Sequence, residues 1–333
     1  MAAPEEAEAD GAPRNATLDM MRMNEAWGNI CFDKNSAKSF RSYTALSSSH
    51  RRSVSGLEAG IKEGPHGVSA EDVMVMVPCR TNDDVSAMFT AWGKEFNDAG
   101  SLELFAFSGK ESTTQKQTKD SIEEPTLSNK VVLGRAAGAS EDGANVLMLV
   151  YSGVEGGIKE SLSLKVKKHM EYVAHEVAGA GEGEGGRYAG KKWFIKSDTD
   201  TFVVTRHLLA VLSNYDPSEP WYIGYQFTKG KYKYVSGGLY AMSREAVARL
   251  DARLKGASIL RYEDMMIGTE LGRAGVVPTV NKGFHWKRPF QREIEWGVVG
   301  GLVQVHKIKG EEMMSNLVSW TNYVLYPNKT KSK

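Results

Sequence analysis

Short apolar runs and amphipathic stretches alternate along most of this chain, beginning near Asp72. Val73-Met74-Val75-Met76-Val77 is continuous apolar sequence closed by Pro78, the pattern of a strand buried on both faces. Asn82 and Asp83 offer helix caps, and Val85, Met88, Phe89 and Trp92 then recur on one helical face. Leu102–Phe107 reads as a second strand, and residues 109–128 are polar and read as a surface loop. Val131–Leu133 and Val146–Tyr151 are further strand candidates. Leu162, Val166, Met170, Val173 and Val177 repeat every three to four positions, which predicts an amphipathic helix over 160–178. Trp193-Phe194-Ile195 predicts a buried strand, Thr205–Leu212 a helix, and Trp221–Tyr225 and Tyr234–Met242 two more strands. Ser243 is placed to cap a helix ending near Leu254. Asp264–Arg273 reads as helical and Val276–Val280 as a strand. Strand and helix patterns in alternation predict an α/β fold with a mainly parallel central sheet flanked by helices.

Upstream the pattern weakens. Residues 1–70 hold an acidic start, a serine run at Ser47, Ser48 and Ser49, and a basic pair at Arg51 and Arg52. Apolar periodicity there is confined to a patch around Met20–Phe32, so 1–70 reads as a tail or stem-like, weakly ordered segment. Residues 71–326 read as one domain and 327–333 as a C-terminal tail. No repeat with a period of about 20–50 residues is visible, which argues against a solenoid or propeller.

Composition narrows the function. The chain has 333 residues, of which 41% are hydrophobic and 25% charged, as expected of a globular protein with a large core. Its 42 basic and 41 acidic residues leave a net charge of +1, so no global electrostatic grip on nucleic acid is expected. Cys31 and Cys79 are too few for a disulfide framework or a cysteine-based zinc site. No stretch approaches the about 18 apolar residues a membrane helix needs, and the acidic opening lacks a signal peptide's apolar centre.

Two motifs invite chemistry. Gly181-x-Gly183-x-x-Gly186 has the spacing of a dinucleotide fingerprint, but a predicted helix precedes it and a predicted strand follows, the reverse of what phosphate binding needs. Glu182 and Glu184 would also repel phosphate, so a loop is the better reading. Asp198-Thr199-Asp200 follows a buried strand, at the sheet edge where open α/β folds bind ligands. If strand geometry persists, both carboxylates point the same way and can hold Mg²⁺ or Mn²⁺. The plainer alternative is that they cap the helix starting near Thr205.

The surrounding sequence sharpens this. The run Lys191-Lys192-Trp193-Phe194-Ile195-Lys196-Ser197-Asp198-Thr199-Asp200-Thr201-Phe202-Val203 resembles the metal-binding segment of the β1,3-glycosyltransferases (glycosyltransferase family 31), with Thr199 where that family usually has a third aspartate. Trp221-Tyr222-Ile223-Gly224, the segment from Tyr234 through Gly237-Gly238 to Ala246, and Glu263-Asp264-Met265-Met266-Ile267-Gly268 resemble later family motifs in the same order, and His306 stands where the family has a late histidine. The likeness covers about 190–320 and is nearest to the core 1 β1,3-galactosyltransferases and the Fringe-like group.

The resemblance implies a GT-A type nucleotide-diphospho-sugar transferase fold. It implies Asp200, His306 and Asp198 as metal ligands, Asp198 also assisting at the nucleotide, and Mn²⁺ (or Mg²⁺) with a UDP-sugar donor as cofactor and substrate. Asp264 would be the catalytic base, with Glu263 orienting it or touching the acceptor; the alternative for Asp264 is a helix N-cap. Gly237 and Gly238 would let the backbone approach the donor, or else mark a strand bulge. His285, Trp286 and Trp296 would offer an aromatic platform for an acceptor, or simply core packing. The expected activity is transfer of a hexose, galactose first, to a glycan or glycoprotein in β1,3 linkage with inversion. A protein of the same fold that binds sugar or nucleotide without turnover is the alternative. Golgi or another secretory compartment is the expected location by resemblance, and Asn15-Ala16-Thr17 and Asn328-Lys329-Thr330 are candidate glycosylation sequons.

Overall fold

The apolar run at Val73 forms the middle of an eight-stranded sheet. The computed structural model describes residues 63–80, 85–109, 126–128, 146–154, 160–179, 186–286, 302–308, 314, 317 and 318. The strands are β1 (Val73–Pro78), β2 (Leu102–Gly109), β3 (Thr126–Ser128), β4 (Leu147–Val154), β5 (Trp193–Ser197), β6 (Thr201–Val203), β7 (Tyr222–Lys229), β8 (Tyr232–Ser243), β9 (Pro278–Val280), β10 (Phe284–His285) and β11 (Gln304–His306). The main sheet has the order β3-β4-β2-β1-β5-β8-β7-β9. The run β4-β2-β1-β5 is parallel throughout. β8 lies antiparallel to both β5 and β7, and β9 returns parallel to β7. The α/β class and mainly parallel centre expected from the alternation are therefore observed, with two strands running the other way, β8 inside the sheet and β3 at its edge against β4.

Both faces of that sheet are covered. On one face Val166, Met170, Val173 and Val177 of α3 (Ser161–Gly179) pack with α5 (Arg244–Leu254) and α6 (Glu263–Arg273). Leu162, placed on the same stripe by sequence, is 41% exposed because it sits at the helix start, beyond the sheet's cover. On the other face Val85, Met88, Phe89 and Trp92 pack with α4 (Thr205–Leu212). Those four residues lie on and beside α1 (Ser86–Met88), a π turn (Phe89–Gly93) and α2 (Lys94–Asp98). Ser243 caps α5 as expected, its Oγ accepting from the Ala246 N–H at 3.2 Å.

The predicted strand at 276 begins two residues later, because Val276 turns into the core and its N–H bonds the Leu271 carbonyl after α6. β6, β10 and β11 were absent from the sequence pattern; each has only two or three residues, too short for a period to show. They form a second sheet, β10-β11-β6, which pairs His306 with Thr201. Residues 1–62 of the tail read at 1–70, the loop residues 110–125, the strand candidate Val131–Leu133, Gly181–Gly183, Trp296, both sequons and the C-terminal tail lie outside the described residues, and the end of the expected loop, Thr126–Ser128, is instead β3, too short for its period to show.

Candidate metal and catalytic site

The site begins where β5 ends. Asp198 follows the strand directly, and its N–H bonds the Gly238 carbonyl of β8 at 3.1 Å. The chain turns through Thr199 and Asp200, closed by the Thr201 N–H on the Asp198 carbonyl at 3.2 Å. Thr201 anchors the turn twice more: its Oγ1 donates to the Gly238 carbonyl at 2.8 Å, and its own carbonyl accepts from Trp92 Nε1 at 2.8 Å. The antiparallel pairing of β11 with β6 then sets His306 beside the turn, about a hundred positions downstream in sequence.

Asp198, Asp200 and His306 offer ligand atoms that all lie within 4.8 Å of one another. His306 Nε2 is 3.3 Å from Asp198 Oδ2 and 3.1 Å from Asp200 Oδ1. His306 Nδ1 lies 3.1 Å from the Trp286 carbonyl, which can only accept. Nδ1 therefore carries the proton and Nε2 is the nitrogen turned toward the carboxylates, the orientation a metal-ligating imidazole takes. Two hard carboxylates and one imidazole suit Mn²⁺, and so the donor set fits a divalent cation. Burial pulls the His306 pKa down, but hydrogen bonds and attraction from Asp198 and Asp200 outweigh it and lift the imidazole to about 9 in the metal-free protein. Neither aspartate caps α4, whose N-cap is Val204 with no side-chain bond.

A fully buried lysine sits behind the cluster. Lys196 Nζ donates to Asp198 Oδ1 at 2.5 Å, to the Gly237 carbonyl at 2.6 Å and to Glu263 Oε1 at 2.7 Å. All three ammonium protons are used. Burial disfavours the Lys196 charge, yet Asp198 and Glu263 raise its pKa above that of a free lysine. Burial opposes the Asp198 charge too, and Lys196 and His306 overcome it, holding Asp198 below the usual carboxylate range. Lys196 carries no role in the motif resemblance. The signal was there: a lysine inside an otherwise apolar strand must find carboxylates.

Glu263 and Asp264 open α6, and the structure separates them. Glu263 is 5% exposed and faces inward; besides Lys196 it accepts from the Tyr240 hydroxyl at 3.2 Å. Burial pushes its carboxyl up to about 7, Lys196 pulling the other way and the Asp264 and Asp198 charges adding to the rise. Asp264 is half-buried. Its Oδ2 accepts from the Gly237 N–H at 3.0 Å and its Oδ1 from the Met265 N–H at 2.7 Å. The N-cap of this helix is Tyr262, so Asp264 ties α6 to β8 instead of capping. Burial raises the Asp264 pKa, with the two backbone bonds opposing. A carboxylate with a raised pKa beside a metal cluster is a candidate proton acceptor.

The two glycines on β8 lie against side chains of the site itself. A Cβ on Gly237 would come within 2.3 Å of Glu263 Oε1, and one on Gly238 within 2.5 Å of the His306 ring. Both carbonyls and the Gly237 N–H are already engaged by Lys196, Asp198, Thr201 and Asp264. The close approach predicted from sequence is real, and the side chains it admits in this structure are the protein's own Glu263 and His306. The β7–β8 ladder is irregular here: Gly224 pairs with Tyr240 and Gln226 with Val235, so β8 residues 236–239, Gly237 and Gly238 among them, bulge out of the pairing with β7, the alternative reading of these glycines. Trp286 and His285 lie on the β10 side, and the Trp286 ring packs against Phe227 at 5.4 Å between centroids and Tyr225 at 6.5 Å.

Residues 160–292 match the family model for Fringe-like proteins. Over that stretch the chain is similar to Fringe-like members of the β1,3-glycosyltransferases. It is 29% identical over 157 residues to the Homo sapiens N-acetyllactosaminide beta-1,3-N-acetylglucosaminyltransferase 4, covering 40% of either chain. It is 36% identical over 92 residues to the Xenopus laevis glycoprotein-N-acetylgalactosamine 3-beta-galactosyltransferase 1, covering 26% of this chain and 25% of the relative. It is 35% identical over 103 residues to the Homo sapiens beta-1,3-glucosyltransferase, covering 29% and 21%. The chain thus matches well under half the length of each relative. A solved structure of the galactosyltransferase LgtC superposes on 74% of this chain with a TM-score of 0.39 and 13% identity, a distant likeness only. The matched stretch spans α3 through β10 and holds Lys196, Asp198, Asp200, Gly237, Gly238, Glu263 and Asp264, while His306 lies beyond it.

Proposed function

We propose that this protein is a metal-dependent, inverting glycosyltransferase that moves a hexose from a UDP-sugar to a glycan or glycoprotein hydroxyl in β1,3 linkage. The observation that carries the reading is the Asp198–Asp200–His306 cluster, joined through Lys196 and Gly237 to Asp264. Asp200, His306 and Asp198 are the residues that would hold Mn²⁺ or Mg²⁺, which when bound neutralises charge on a diphosphate leaving group. Asp264 accepts the proton of the acceptor hydroxyl as that oxygen attacks the anomeric carbon and the bond to UDP breaks. Both Asp264 oxygens already accept one N–H each, which fixes the carboxylate and leaves lone pairs for the proton. Lys196 and Glu263 are positioning residues: they hold Asp198 and the β8 backbone at one spacing.

A single displacement turns an α-linked donor into a β-linked product. Galactose is the first donor to try, on the motifs quoted above; the relatives named for N-acetylglucosamine and glucose transfer make those sugars the next. The glycoprotein and N-acetyllactosaminide substrates in the relatives' names support a glycan acceptor and a secretory compartment. Among the described residues no helix is long and apolar enough to cross a membrane. The test is a titration of UDP into the protein with and without Mn²⁺. Binding that requires Mn²⁺ and is lost in Asp200→Ala is expected; no UDP binding in folded protein would overturn the reading and leave a non-catalytic protein of this fold.

A further inference from the structure

The β7–β8 hairpin leads away from the candidate base with an unusual surface. Phe227 stands opposite Tyr234 and Lys229 opposite Tyr232 in the ladder, so these four share one face. Trp286, Phe227 and Tyr234 form a half-buried aromatic row, with centroids 5.4 and 5.7 Å apart in succession. One end of the row is at the metal cluster, where the Trp286 carbonyl accepts from His306 Nδ1. Tyr234 lies against α6 at Gly268, one turn past Asp264.

At the other end the row meets cations. Lys229 Nζ lies 5.3 Å from the centre of the Tyr262 ring and the Arg261 guanidinium 5.5 Å from it. Tyr262 is 47% exposed and immediately precedes Glu263 and Asp264. Lys231 lies 5.5 Å over Tyr232, and Lys233 is also exposed. No acidic residue occurs between Glu219 and Glu245, and no ion pair to Lys229, Lys231, Lys233 or Arg261 is formed among the described residues. In a chain with a net charge of +1 this is a local concentration of positive charge.

We infer that the acceptor is an anionic glycan, its sugar face lying on the Trp286–Phe227–Tyr234 row and its carboxylate, sulfate or phosphate at the Lys229–Arg261 corner. Aromatic faces pack on the C–H faces of sugars, and guanidinium with ammonium recognises an oxyanion. An acidic peptide would use the cations and leave the aromatic row without a partner, so the glycan is favoured. The inference rests on the transferase reading, since Asp264 marks this as the acceptor side.

The test is binding of the whole protein to matched immobilised oligosaccharides, one neutral and one bearing a uronate or sulfate on the same backbone, with an acidic peptide as a third probe. The charged glycan is expected to bind about ten-fold more tightly than the neutral one at low salt, and the margin to close as salt rises. Lys229→Ala with Arg261→Ala removes the margin, while Phe227→Ala weakens both glycans. Both altered cations are exposed, and an unchanged melting temperature shows that the variant is folded. Equal binding of neutral and charged glycans overturns the inference, as does an acidic peptide held as tightly as the charged glycan. Weaker UDP–Mn²⁺ binding in the double variant, with glycan binding unchanged, would assign the cations to the donor and also overturn it. UDP–Mn²⁺ titration of the unaltered protein reads the transferase proposal separately.

Discussion

Two buried polar clusters sit in this sheet, and they differ in what surrounds them. One joins Lys196, Asp198, Glu263 and Tyr240 at the end of β5. The other joins Glu103 of β2, Tyr151 of β4, His169 of α3 and Tyr188. In the second, His169 Nε2 is 3.0 Å from Glu103 and Nδ1 is 3.0 Å from the Tyr151 hydroxyl, the imidazole stacks on Phe105 at 3.9 Å, and every member is sealed from solvent. Burial first, and Glu103 after it, raise the pKa of both Tyr151 and Tyr188, so each phenol stays neutral. That cluster has nowhere to send a proton. The first opens through Asp198 and Asp264 to a half-exposed rim and keeps ligand atoms turned outward. The difference between a structural network and a reactive one here is access, not composition.

That contrast can be broken at several points. Asp264→Asn keeps the size and one of the two backbone contacts but cannot take a proton; transfer should fall by about 10²–10⁴-fold. UDP–Mn²⁺ binding should survive, as calorimetry beside a transfer assay would show. Lys196→Met strands Glu263 and Asp198 as buried charges without a cation, and stability should drop by about 3–5 kcal/mol in denaturant melts. Glu103→Gln in the sealed cluster should cost about 1–3 kcal/mol and leave UDP–Mn²⁺ affinity unaltered. A loss of nucleotide binding in that variant would mean the two clusters are coupled and the contrast is false.

The smallest effect is on pH. His306, raised to about 9 without metal, adds stability through its ion pairs that is complete below its ordinary pKa and is lost as pH rises through 9. Melting temperatures in chelator should fall over that window. A metal must displace the same proton, so Mn²⁺ affinity should rise about ten-fold per pH unit from 7 toward 9 and then level.

Much of this architecture was legible in the sequence because it is carried by long apolar patterns. β1, β5, α3 and α5 are runs whose burial follows from their period. The Asp198–Asp200 pair was legible from type and position, and His306 only by resemblance. Nothing local in Gln304–His306 announces a strand, since β11 exists because β6 and β10 offer it partners. The inward turn of Glu263 and the outward turn of Asp264 were equally hidden. Adjacent residues at a helix start point in different directions, and only the packing of α6 on β8 decides which one meets Lys196. The same holds for Gly237 and Gly238, whose missing Cβ atoms matter only against neighbours distant in sequence.

The pairing of β11 with β6 also orders events in time. A ribosome releases the chain from its N-terminus, and the whole eight-stranded sheet is encoded before residue 281. The imidazole comes later, on a three-residue strand that adds to β6 and β10. A nascent chain can therefore complete its main sheet while still lacking one of the three candidate ligands. On the proposed reading, the capacity to load donor arrives only after the main sheet has been made.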